Sequence, residues 1–233
     1  MTHRILVPFE IPGGEPLSPV LVRDLAPIEI VALGHYALPE QTPPQAAREQ
    51  FLDDATAELE ELTSGLREAG AAVTNRVVFG RDRAKTIDRV AIEEDCDAEL
   101  DPAPTDGIDR ILVPLVDAAN LDRLADFVAA LLEEGTAVTL FHVVEGDESA
   151  TDAESMLHDA RSVLLERGFD PDRVDVAVES GQHDEAILRR AADYDAVVMD
   201  ETAPTVPERI FGTLPDRIAD RTGDPVIVVR RNY

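Results

Sequence analysis

Positive charge is scarce in this chain of 233 residues: 21 Lys and Arg stand against 48 Asp and Glu, a formal net charge of −27. A surface that acidic repels phosphate backbones and anionic lipid headgroups, which excludes nucleic acid and polybasic membrane docking as general partners. Lysine itself is almost missing, with Lys85 alone among arginines. Cysteine is reduced to Cys96, so no internal disulfide can form and a reducing compartment is expected. No stretch approaches the roughly 20 apolar residues that span a bilayer. The apolar part of Met-Thr-His-Arg-Ile-Leu-Val is too short for a secretory signal. The expectation is a soluble, cytoplasmic protein with no membrane partner.

Apolar material is not lacking. Hydrophobic residues make up 44% of the chain and charged residues 30%, enough for a core and outside the disordered, collagen-like and coiled-coil classes. The length suits one large α/β domain or two smaller ones. Self-repulsion at −27 strains a compact fold in dilute buffer, whereas near 1 M salt the screening length falls to about 3 Å. Together with the lysine depletion, this predicts a halophilic protein from a salt-accumulating cell.

The chain repeats itself. Arg4-Ile5-Leu6-Val7-Pro8 returns as Arg110-Ile111-Leu112-Val113-Pro114, which points to tandem copies. Ile28 to Leu33 aligns with Val138 to Val143, each a short apolar run read as a buried strand. Asp97 to Asp101 aligns with Asp195 to Asp200, and Pro102, Pro104 and Gly107 punctuate a linker between the halves. Phe51, Ala55, Leu59, Leu62, Leu66 and Ala69 recur at helical spacing, predicting one long helix that Gly70 stops. Met156, Ala160, Val163 and Leu164 form the shorter equivalent, ending at Gly168. Asn120 is the expected N-cap of a helix through Leu121, Leu124, Phe127, Val128 and Leu131; its counterpart after Ser18-Pro19 is stubby.

Strand and helix alternate in each half. That order predicts an α/β fold of two tandem doubly wound, Rossmann-like lobes with parallel sheets covered on both faces. The expected boundaries are 1–106 and 107–233. The first lobe lacks the last helix and strand, which the second supplies through Ile210, Phe211, Leu214, Ile218 and Ala219 and then Val226 to Val229. An uncovered apolar strand is a liability, so Val226 to Val229 is expected to pair across a two-fold axis in a homodimer, unless Arg230, Arg231 and Tyr233 shield it.

Ile-Leu-Val-Pro opening each half, Leu140-Phe141-His142-Val143 on the second strand of the second half, and Phe211-Gly212-Thr213 before Pro225 to Val229 resemble the universal stress protein family. The resemblance covers almost the whole chain and is stronger in the second half. It implies a doubly wound sheet, dimers or tandem pseudo-dimers, and, in a subset of the family, ATP held by an acidic residue after the first strand and a G-x-x-G-x9-G-[ST] motif. Glycines there let backbone N–H groups approach phosphate oxygens at a helix N-terminus. Carried onto this chain, the motif keeps Gly212 and Thr213; counting back from them gives Thr202 and Met199, or Ala203 and Asp200 with a one-residue gap. The acid falls at Asp117, one place late; Glu10 takes that position in the first half, which lacks the phosphate loop. The resemblance thus puts the cofactor-binding cleft at Pro114, Asp117, Val143, Met199, Gly212 and Thr213, with its nucleotide motif degenerate. Asp200 and Glu201 place carboxylates where a triphosphate would lie, and a cation is the ligand that suits them.

Other motifs fail on spacing. Gly80 to Thr86 would need glycine at Phe79 and Ala84 to be a phosphate loop and reads as a strand-to-helix turn. Pro12-Gly13-Gly14 lacks the serines and aspartate of a pyrophosphatase loop. There is no dinucleotide fingerprint, and Ser180-Gly181 lacks the upstream glycine of a nucleophile elbow. His3, His35, His142, His158 and His183 are scattered, so no metal site is expected, and His142 reads as a packing residue. Acidic clusters such as Glu93-Glu94-Asp95 read as solvated faces. With no nucleophile, base or metal cage, catalysis is not expected. The expected function is a universal-stress-protein-like regulatory module acting by dimerisation or by binding a protein partner, with no resident cofactor. The alternative is a sensor holding ATP or another adenine nucleotide in the second-half cleft.

Overall fold

The computed structural model describes residues 3–131, 135–201 and 213–231. The chain divides into two compact units, Met1–Pro102 and Ala103–Tyr233, so the division falls in the Pro-rich stretch read as a linker. The first unit runs β1 (Arg4–Ile11), α1 (Pro19–Leu25), β2 (Glu29–Ala37), α2 (Pro44–Leu62), α3 (Ser64–Glu68), β3 (Val73–Gly80), α4 (Arg83–Glu93) and β4 (Ala98–Asp101). Its strands lie in the order β3-β2-β1-β4, all parallel. β1 is apolar on both faces because both are covered: Ile5, Leu6 and Val7 are fully buried. Ser18 starts α1 by accepting from the Leu21 N–H, with Pro19 in the first turn.

The long helix expected over Phe51 to Ala69 is broken at Thr63. The buried Thr63 hydroxyl donates to the Leu59 carbonyl at 2.8 Å and accepts from Arg67 Nη1 at 2.6 Å and Asn75 Nδ2 at 3.2 Å. Bonding back one turn pulls the local backbone out of register with a continuing helix, and α3 is a separate short piece. Gly70, with φ of 94°, then takes the left-handed position that ends it.

The second unit runs β5 (Arg110–Pro114), α5 (Leu121–Leu131), β6 (Ala137–Val144), α6 (Ala150–Glu166), a 3-10 turn (Pro171–Arg173), β7 (Val174–Ser180), α7 (His183–Ala191), β8 (Ala196–Asp200), α8 (Leu214–Thr222) and β9 (Val226–Val229). Strand order is β9-β8-β5-β6-β7, again parallel throughout. Each unit therefore has the α/β, parallel, doubly wound architecture expected from its strand–helix alternation. Phe141, Val143, Ile187, Met199, Leu214 and Ile218 belong to one buried cluster that joins α7 and α8 to the sheet.

One tie recurs in both units. Asp97 Oδ2 accepts from the Arg4 N–H at 2.9 Å while its own N–H donates to the Arg4 carbonyl at 2.7 Å. Asp195 makes the same pair with Arg110, at 2.8 and 2.9 Å. Each carboxylate fixes the start of one strand against the turn that precedes its neighbour, which is why both positions carry an aspartate. The units differ in extent. The first ends after β4, whereas the second continues past β8 into α8 and β9.

Candidate functional site

In the second unit the chain moves outward from β5 to β6 and β7, then returns to the other side of β5 for β8 and β9. The strand order reverses between β5 and β8, and open α/β sheets bind their ligands beyond the carboxyl ends of the strands at that point. Five short stretches meet the position. β5 delivers the buried Pro114 and then Asp117; the start of α5 delivers Asn120; β8 delivers Met199, Asp200 and Glu201; β9 is followed by Arg230 and Arg231; Thr213 opens α8.

Asp117 is exposed, and its Oδ1 accepts from the Ala119 N–H at 2.8 Å, a turn that sets the entry to α5. Val143 and Met199 are 3% and 4% exposed and belong to the same apolar cluster. Thr213 is the N-cap of α8. It exchanges hydrogen bonds with Asp216, whose Oδ2 accepts from the Thr213 N–H at 2.8 Å and from its hydroxyl at 2.7 Å, while Thr213 Oγ1 accepts from the Asp216 N–H. Gly212, with Thr202, Ala203, Ile210 and Phe211, lies outside the described residues.

Asn120 opens α5, and its side-chain amide is turned to the strand ends, with Nδ2 donating to Asp200 Oδ1 at 2.5 Å. From the other side Arg231 Nε donates to Asp200 Oδ2 at 2.6 Å, and its Nη2 lies 3.4 Å from Asp117 Oδ1. The Arg231 N–H donates to Glu201 Oε2 at 2.9 Å, and Arg230 Nη2 lies 3.6 Å from Glu201 Oε1. The Glu201 N–H in turn donates to the Val229 carbonyl at 2.8 Å. Asp200 and Glu201 thus both meet arginines of the chain itself. Sequence reasoning singled out the two carboxylates but missed Arg231 as their partner. The available signal was an Arg-Arg pair directly after β9, a strand that lies beside β8.

The neighbouring loop after β6 is also occupied. His142 is buried, with Nδ1 2.7 Å from the Leu115 carbonyl and Nε2 2.9 Å from Glu148 Oε1, so it joins the ends of β5 and β6. The hydrogen bond from His142, then one from the Glu145 N–H, holds the Glu148 carboxyl below the usual range. Glu145 Oε1 accepts from the His183 N–H at 2.7 Å at the start of α7. Among the described residues no group of three or more His, Cys, Asp or Glu side chains is arranged to hold a metal ion. Among them, too, no helix is long and apolar enough to cross a membrane.

Parallel strands, the reversal beside β5 and a capped helix after β8 define a doubly wound α/β protein. A sequence model of the universal stress protein family matches residues 107–230, and the chain belongs to that family. Among solved structures, a universal stress protein from Archaeoglobus fulgidus DSM 4304 is similar over 97% of this chain and 96% of its own, with a TM-score of 0.66 and 19% identity. A putative universal stress protein from Pseudomonas aeruginosa UCBPP-PA14 covers 98% of this chain and 93% of its own, at a TM-score of 0.46 and 17% identity. A universal stress protein from Archaeoglobus fulgidus in complex with dAMP covers 52% of this chain and 96% of its own, at 0.39 and 19%. The first of these supports the fold; the identities are too low to carry more. No curated protein matches the chain.

Proposed function

We propose that this universal stress protein is a regulatory module that acts through dimerisation or a protein partner, with the nucleotide cleft of its second unit closed by its own side chains. The observation that carries the reading is the network in which Asn120 and Arg231 hold Asp200, and Arg231 also reaches Asp117. A triphosphate needs free backbone N–H groups and unengaged cations. Here no glycine stands at either motif position, the carboxylate of Asp200 lies at the strand end, and the Arg231 guanidinium is committed to it. Asp117, Asp200 and Glu201 would each repel a phosphate at close range.

Denaturing the purified protein and measuring adenine absorbance in the supernatant tests the reading, together with a thermal shift on adding Mg·ATP. No released nucleotide and no shift are expected. Stoichiometric adenine nucleotide, or a rise in melting temperature that grows with ATP concentration, would replace this reading with the nucleotide sensor. The expected pairing of Val226–Val229 across a two-fold axis is tested separately, by sedimentation of wild type against Val228→Asp; a monomer in both removes it.

A further inference from the structure

A cavity lies at the other end of the second unit's sheet from the cleft. It has a volume of about 540 Å³ and is formed at the amino ends of β5, β6 and β7 and the carboxyl end of α7, all within the second unit. Arg110, the first residue of β5, and Arg190 of α7 both face the Tyr194 ring, with guanidinium carbons 6.0 and 5.7 Å from its centroid. Asp175 of β7 and Asp193, in the turn after α7, line the same space. Its floor includes Ala137, Val176 and Ala177.

Three of the four charges here have no ion-pair partner among the described residues. Among the described residues the Arg110 guanidinium has no carboxylate partner, and neither Asp175 nor Asp193 has a cation. Arg190 Nη1 has only a 3.7 Å approach to Glu179, and its Nε is buried without a hydrogen-bond partner. Elsewhere in the second unit Arg167, by contrast, holds both Asp122 and Asp126. The cavity therefore carries two positive and two negative groups, balanced overall but separated, around an aromatic wall and a small apolar floor. A plain anion would meet Asp175 and Asp193, and a plain cation would meet the two arginines. A ligand bearing both charges at once answers both pairs. The volume falls in the range of about 300–1,000 Å³ usual for small-molecule sites.

We propose that this cavity binds a zwitterionic α-amino acid with an apolar side chain. The carboxylate lies toward Arg110 and Arg190, the ammonium toward Asp175 and Asp193, and the side chain against Ala137 and Ala177. The site is separate from the cleft at the carboxyl ends of the strands and does not depend on whether that cleft is closed.

The test is a heteronuclear NMR titration of the full-length protein with three probes of one shape: L-phenylalanine, 2-phenylethylamine, which has only the amine, and 3-phenylpropionate, which has only the carboxylate. L-Phenylalanine is expected to shift the amides of Ala137, Ala177 and Tyr194 and to saturate in the millimolar range, with each singly charged analogue at least about tenfold weaker. Arg110→Gln and Asp193→Asn, both at exposed side chains, are each expected to weaken phenylalanine at least about tenfold while the circular dichroism spectrum is unchanged. No shift with phenylalanine at about 10 mM overturns the proposal. So does equal binding of the three probes by wild type, an outcome that decides the matter even where a variant fails to fold.

Discussion

His35 shows what a single buried polar atom commits the chain to. It sits on β2 at 3% exposure, and its Nε2 has no hydrogen-bond partner. Burial, then the nearby Arg83 guanidinium, lowers its pKa below the ordinary 6.5, while Glu10 and Asp82 oppose the shift. The folded state thus favours the neutral ring. Below about pH 6.5 the unfolded chain takes up the proton more readily, so the stability held by neutral His35 is full above that pH and is lost as pH falls through the lower folded value. Melting temperature is expected to drop between pH 7.5 and 5.5, and His35→Gln to flatten that part of the profile; an unchanged slope in the variant would assign the loss to other groups. Asp200, unlike His35 Nε2, is partnered: its carboxylate accepts from Asn120 and Arg231. Asp200→Ala removes the acceptor of Asn120 Nδ2 and Arg231 Nε and is expected to cost about 1.5–3 kcal/mol in urea unfolding. The sequence marked Asp200 as chemically unusual but not what answers it. That pairing spans 31 residues and exists only because β9 lies beside β8.

At the scale of elements the local signals were strongest where they were self-contained. The repeated Arg-Ile-Leu-Val-Pro strands are legible because apolar runs bounded by charge bury on both faces without help from elsewhere. The starts of α1 and α8 are legible too, since Ser18-Pro19 and Thr213-Leu214-Pro215-Asp216 carry their own caps. The break at Thr63 was not, because a partner that holds its hydroxyl, Asn75, comes from β3 and no helical period records it. Asn120 stands, as its type suggests, directly before α5, but its amide also bonds a tertiary partner, Asp200, which the local pattern does not record. The cavity beside Tyr194 gathers residues from three strands and a helix end, a juxtaposition no motif spells out. The capping box gives this scale its prediction. Thr213→Ala removes the oxygen that accepts from Asp216 and the hydroxyl that donates to it, and is expected to cost about 1 kcal/mol, within the 0.5–2 kcal/mol typical of such caps. Thr213→Ser should restore most of it. Equal losses in both variants would show that the methyl group, not the cap, matters.

For the whole molecule the controlling quantity is the excess of negative charge. Its arginines are used economically, Arg76 bridging Glu93 and Glu94 as Arg167 bridges Asp122 and Asp126. Such partly exposed pairs contribute about 0–1 kcal/mol each and weaken as salt is added. Twenty-seven charges remain uncompensated, and their mutual repulsion weakens as well. The two responses have opposite signs, and the larger decides the outcome. Each pair is a contact over a few ångströms, which salt screens poorly. The repulsion is summed over many separations near or beyond the Debye length of about 10 Å at 0.1 M, where screening is most effective. Repulsion should therefore be the part that salt removes, and stability should rise with salt. Melting temperature is expected to climb steeply from low salt to about 1 M KCl, where the Debye length is already near 3 Å, and to level off beyond it. A general exclusion effect of the solute would instead keep rising, and sucrose at matched osmolality would reproduce it. Far-UV circular dichroism should weaken as salt is dialysed away. A flat melting curve and an unchanged spectrum down to millimolar salt would mean that the acidic surface is solvated without strain, and would remove the halophilic reading.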